Sequence, residues 1–146
     1  AGATTVNISQ ADLFKFGTNT SASSPKTLTF SGVDLEVAPS GGGTNAETYY
    51  ILLNGSTPYI KIKAPKPITS VVLDKITCKS KNVSESNPCV VGIYSSIGES
   101  PVMLDSYSIS TNSESHKVEF TLDGTVDEVY VQASLKSQVT GISVTY

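Results

Sequence analysis

A period of two constrains this chain more than any other feature. In Pro58-Tyr59-Ile60-Lys61-Ile62-Lys63, Ile60 and Ile62 fall on one side of an extended strand and Tyr59, Lys61 and Lys63 on the other. The same alternation runs through Val118–Leu122, Glu128–Leu135 and Gly141–Tyr146. An antiparallel sheet with one solvated side sorts such a pattern into a dry and a wet face. The periodicity therefore predicts an all-β chain, a two-sheet antiparallel β-sandwich of roughly nine or ten short strands.

Strands are expected at Thr4–Ser9, Leu28–Ala38, Glu47–Leu53, Tyr59–Lys63, Ile68–Cys78, Cys89–Ser95, Val102–Ile109, Lys117–Leu122, Glu128–Leu135 and Val139–Tyr146. Asn54-Gly55 and Asp123-Gly124 are the clearest turn signals, and each is expected to close a hairpin between its flanking strands. Gly17–Lys26 and Pro39–Ala46 read as loops, and Gln10–Phe16 as one helical turn or an edge strand. The glycines at 41, 42 and 43 lack the Lys-Ser/Thr and helix of a phosphate-binding loop.

A length of 146 residues suits one domain spanning 1–146, with no composition shift to divide it. The net charge is -3 and every cation is a lysine, so the bidentate arginine fork that reads guanine and phosphate is missing. Nucleic acid is not an expected partner, and no apolar run reaches membrane-spanning length. The start, Ala1-Gly2-Ala3-Thr4-Thr5, has neither an initiator Met nor an export signal, which leads us to expect one module of a larger protein.

Cys78 and Cys89 flank a polar segment that ends in Pro88. If their strands are antiparallel neighbours, the two Cα atoms fall within disulfide range, and a bridge is expected. It would add about 2–3 kcal/mol by chain entropy. It would also place the protein in an oxidising, extracellular setting. The alternative is a pair of reduced, buried thiols.

Catalysis has little support. His116 is the lone histidine, in a polar lead-in to a strand, and no nucleophile elbow or metalloprotease motif occurs. Asp34 and Glu36 share a strand face, but solvated strands show such spacing without any chemistry. Asp123, Asp127 and Glu128 are the candidates for a structural calcium, which takes scattered oxygen ligands.

The outward faces carry the better case. Tyr59, Lys61 and Lys63 form one row, Tyr130 and Gln132 a second, and Lys117 lies on a third. An exposed tyrosine offers a flat apolar ring to the C–H face of a sugar, while Lys and Gln can bond hydroxyls or carboxylates. Cys78 and Cys89 aside, these six are the candidate site residues. A plainer account is that Lys, Thr and Tyr suit any solvated sheet.

With its strand run, the Asn54–Lys63 segment and the closing Ile142-Ser143-Val144-Thr145-Tyr146, the chain resembles the jelly-roll carbohydrate-binding modules of secreted bacterial polysaccharide-degrading enzymes. The resemblance implies a non-catalytic module that binds a polysaccharide, with structural calcium in many members. The chain departs from the cellulose-binding kind, having no tryptophan, and Lys61, Lys63 and Lys117 point to an acidic plant cell-wall glycan such as pectin. The rival reading is a structural or adhesive module of a cell-surface or fibre protein.

Overall fold

A computed structural model describes residues 2–42 and 48–146. Residues 43–46 of the expected loop, and Glu47, which was expected to open a strand, lie outside the described residues. The elements are β1 (Thr5–Ile8), α1 (Gln10–Phe14), β2 (Lys26–Phe30), β3 (Val33–Ala38), β4 (Gly41–Gly42), β5 (Ile51–Lys63), β6 (Ser70–Cys78), β7 (Cys89–Ser96), β8 (Val102–Ile109), β9 (Ser115–Thr121), β10 (Glu128–Val139) and β11 (Ile142–Thr145). The chain is an all-β sandwich, and every strand pairing is antiparallel.

One layer runs β2-β3-β5-β10-β7-β8, built on the last half of β5 and the first half of β10. In the other, β9 pairs with β6, whose far side takes β11 and then β1 along Ser70–Leu73 and the end of β10 along Ile76–Cys78. β5 and β10 therefore serve both layers and join them into one hydrogen-bonded network. The inward residues of both layers, among them Val37, Ile60, Ile62, Leu73, Phe120, Val131 and Val144, form a single apolar cluster.

The crossing between layers overturns the first expected hairpin. β5 runs on through Asn54-Gly55 as one strand of 13 residues. Its register against β10 slips between Val131 and Ala133 and again between Ala133 and Ser137, while Gly55 takes φ +89°. A bulge with a left-handed glycine bends a strand without ending it, and the bend passes β5 from one sheet to the other.

The second expected hairpin is also corrected. Asp123-Gly124 does turn, with Gly124 at φ +76°. The strands on either side do not pair, because β9 joins β6 in one layer while β10 joins β5 and β7 in the other. Conversely, the expected strand Leu28–Ala38 is a hairpin in itself: Ser31 and Gly32 sit at φ 49° and 90°, and Leu28 faces Leu35. Two successive left-handed residues match the strand twist, as in the tightest hairpin turns.

Gln10–Phe16 contains the helix. Ser9 and Asp12 form a capping box at its start, and Leu13 and Phe16 are buried in the core. No helix among the described residues is long and apolar enough to cross a membrane.

The expected disulfide is absent; Cys78 and Cys89 are buried free thiols. The premise of neighbouring strands fails, since β6 and β7 do not pair and the segment between them crosses from one layer to the other. Cys89 Sγ lies 3.1 Å from Ser137 Oγ. Burial pushes the Cys89 thiol up, and Cys78 beside it adds to the rise.

Candidate functional site

Ile60 and Ile62 are fully buried, and so are Val129 and Val131 on the neighbouring strand. Strand alternation then turns Tyr59, Lys61 and Lys63 of β5, and Tyr130 of β10, to the outer face of the β2-β3-β5-β10-β7-β8 layer. Register extends the row sideways: Tyr94 of β7 stands opposite Tyr130, Tyr130 opposite Lys61, Lys61 opposite Glu36 and Glu36 opposite Thr27. One row thus crosses five strands.

These side chains bind one another. The Tyr59 hydroxyl donates to Glu36 Oε1, and the Tyr59 and Tyr130 rings meet edge to face with centroids 5.6 Å apart. Burial, then the Glu36 carboxylate, pushes the Tyr59 phenol up to about 12. Lys61 Nζ sits 3.2 Å from Glu128 Oε1 and 5.8 Å from the centre of the Tyr130 ring. Its bond to Glu128 is the first cause that raises the Lys61 ammonium above its usual range. Asp34 faces Lys63 across β3 and β5, and with Glu36, Lys61 and Thr27 they line a shallow pocket of about 90 Å³.

Of the six residues singled out in the sequence, the structure brings Tyr59, Lys61, Lys63 and Tyr130 onto this face. Gln132 belongs to the same strand but is buried rather than offered to solvent. Its Nε2 donates to the carbonyls of Ser56 and Pro58, at 2.8 and 3.2 Å, and so satisfies the backbone where β5 bulges away from β10. Lys117 is elsewhere: β9 pairs with β6, so this exposed lysine stands on the opposite layer.

The calcium candidates are not gathered. Asp123 Oδ1 accepts from the backbone N–H and hydroxyl of Thr125, at 3.1 and 2.6 Å, and Glu128 is taken by Lys61. Among the described residues no three Asp, Glu, His or Cys side chains come together around a common point. His116 is half-buried with its ring 6.0 Å from that of Tyr107, and its Nε2 is buried without a hydrogen-bond partner.

Tyr94, Gly92, Ser56, Ser134 and Glu99 are not among the candidate site residues read from the sequence, yet the structure brings them together. A Cβ on Gly92 would lie 2.7 Å from Cε1 and Oη of Tyr94, so the tyrosine ring lies down over Gly92 on the sheet surface. Around it run two adjoining hollows of about 320 and 440 Å³ that share Ser56, Tyr94 and Gln132. One reaches Val90 and Ser134, the other Gly98, Glu99 and Pro101 of the β7–β8 loop. The signal was legible in principle: a glycine two residues before a tyrosine puts both on one face of a strand.

Compared with solved structures, the chain superposes on a family 29 carbohydrate binding module from Piromyces equi with a TM-score of 0.52, over 99% of this chain and 91% of that one, at 12% identity. The chain has the fold of a carbohydrate-binding module. A family 4 carbohydrate-binding module aligns over 82% of this chain and 73% of that one, at 12% identity and a TM-score of 0.37. No protein-family model and no curated protein matches the sequence. In the carbohydrate-binding-module fold seen here, the tyrosine row and the Tyr94 hollows share one outer sheet face, and β5 and β10 tie that face to the other layer by belonging to both.

Proposed function

We propose that residues 1–146 form a non-catalytic module that binds a polysaccharide on the outer face of the β2-β3-β5-β10-β7-β8 layer. One observation carries the reading: Tyr59, Tyr130 and Tyr94 stand on that face beside the carboxylates of Glu36 and Glu128 and the ammonium of Lys61, above a packed layer of Ile60, Ile62, Val129 and Val131. Flat rings that alternate with hydrogen-bonding groups suit a sugar, whose faces are apolar and whose edges are hydroxyls. A secreted setting and a place beside catalytic domains in a larger protein belong to the same proposal.

The lysine-based preference for an acidic, pectin-like glycan loses its footing. Lys61 is already paired with Glu128, Lys117 is on the other layer, and Asp34, Glu36 and Glu128 outnumber Lys61 and Lys63 on the face. A uronate would meet net negative charge there, and like charges facing each other cost affinity. A neutral glycan fits better.

The test is retardation of the purified protein in native gels that contain soluble β-glucan, galactomannan or polygalacturonate. Retardation by a neutral polymer, with no reducing sugar released, is expected; migration unchanged in all three would end the reading. A second reading has its own support. Among the described residues the exposed large hydrophobics, Val102, Met103, Leu104 and Tyr107, all lie on β8, an edge strand. Such an edge favours association, so a concentration-dependent mass in ultracentrifugation would favour the structural or adhesive module.

A further inference from the structure

The tyrosines of the face are not equivalent. Tyr59 spends its hydroxyl on Glu36 and pairs with Tyr130 edge to face, while Tyr130 has Lys61 over it. Each ring is thus engaged by a neighbouring side chain, and neither offers a ring that no other side chain contacts. Tyr94 offers an open ring face, because Gly92 lacks the Cβ that would otherwise prop the ring up: one side of the ring rests on the strand and the other opens to the hollows on either side. Gly92 has ordinary extended backbone, so what asks for glycine here is the ring above it rather than a turn.

The rim of this groove is chemically specific. Ser134 Oγ accepts the Val90 N–H at 2.8 Å, which leaves the hydroxyl proton free to donate. Gln132 is fixed by its two bonds to the β5 bulge, so the wall behind Tyr94 is rigid. Glu99 on the β7–β8 loop supplies a carboxylate at the other end. A flat ring with a donor at one end and an anionic acceptor at the other matches a neutral pyranose, which stacks through its C–H face and both accepts and donates at its edges. A uronate would meet Glu99.

We propose that Tyr94, laid flat by Gly92 between Ser134 and Glu99, is the stacking floor for one neutral pyranose unit of the bound glycan, and that Gly92 sets its orientation. This rests on the glycan-binding reading above. The ordering cost of stacking is low because the Tyr94 ring is already laid down on Gly92 before a sugar binds.

The experiment compares the wild type with Tyr94→Ala, Tyr94→Phe, Gly92→Ala and Tyr59→Ala in gels containing soluble β-glucan, galactomannan or polygalacturonate, with urea unfolding of each variant as the control for folding. In Gly92→Ala the colliding atoms are the far end of a movable side chain, so the ring must lift while the strand stays. Affinity for a neutral polymer should fall at least tenfold in Tyr94→Ala and Gly92→Ala and stay within about twofold in Tyr94→Phe, with unfolding midpoints little changed. If the wild type is retarded and Tyr94→Ala matches it, the stacking floor is wrong while glycan binding stands. Retardation by polygalacturonate alone would refute the neutral class. A wild type retarded by none of the three would remove the glycan-binding reading itself, and this proposal with it.

Discussion

Lys61 and Glu128 meet diagonally across the seam between β5 and β10, Nζ 3.2 Å from Oε1, on the two strands that also carry the chain from one layer to the other. Their side chains keep 28% and 35% of their exposure, so water screens the pair and its worth is modest. A double-mutant cycle through Lys61→Ala and Glu128→Ala, read by urea unfolding, should give a coupling of about 0.2–1 kcal/mol that shrinks as salt is added. No coupling at low salt would show that the contact contributes nothing.

Tyr59 makes the protein sensitive to alkali. Its phenol is raised from 10.0 to about 12 in the folded state, so between those values the unfolded chain has lost the proton and the native one has kept it. Stability is therefore fully present below pH 10.0 and falls as pH rises toward about 12. Lys61, raised above 10.5 by Glu128, acts in the same direction. The rise contributes less than about 2.7 kcal/mol, because water screens the part-exposed phenol. Tyr59→Phe should flatten much of the alkaline decline and, by removing one hydrogen bond, cost about 0.5–1.5 kcal/mol at neutral pH. An equally steep decline in the variant would mean that other groups cause it.

The two cysteines should be silent in the native protein. Both are buried, and burial keeps the Cys89 thiol above its usual range, so little thiolate forms. Titration with an aromatic disulfide reagent should find no rapidly reacting thiol in buffer and both thiols in denaturant. Two thiols missing after denaturation would instead reveal a bridge across the core.

The inward and outward members of one strand should differ sharply. Ile60→Ala removes a fully buried side chain and should cost about 2–5 kcal/mol in urea unfolding. Lys63→Ala, exposed and without an ion pair, should change stability by no more than about 0.5 kcal/mol. Comparable losses from both would contradict the assigned faces.

The faces of the strands were legible because alternation is a local property. Ile60, Ile62, Val118, Phe120, Val129, Val131, Ile142 and Val144 are all buried as their spacing demands, and Tyr59, Lys61 and Lys63 point outward. The exception, Gln132, keeps its outward parity but is buried because the β5 bulge offers it two carbonyls.

By itself the sequence determined most of the strands and, where apolar and polar residues alternate, which side of each is dry, because a two-residue period writes that directly into the chain; β8, exposed along Val102–Ser108, has no such side. Which strands become neighbours was decided only in three dimensions. Asn54-Gly55 looks the same locally whether it closes a hairpin or bends one strand between layers, and bonding to β10 on both sides of the bend selects the latter. Cys78 and Cys89 are on strands that do not pair for the same reason, although their side chains meet in the core, and Lys117 is parted from Lys61. The role of Tyr94 is tertiary as well: spacing puts it on the face of Gly92, but only packing lays the ring down.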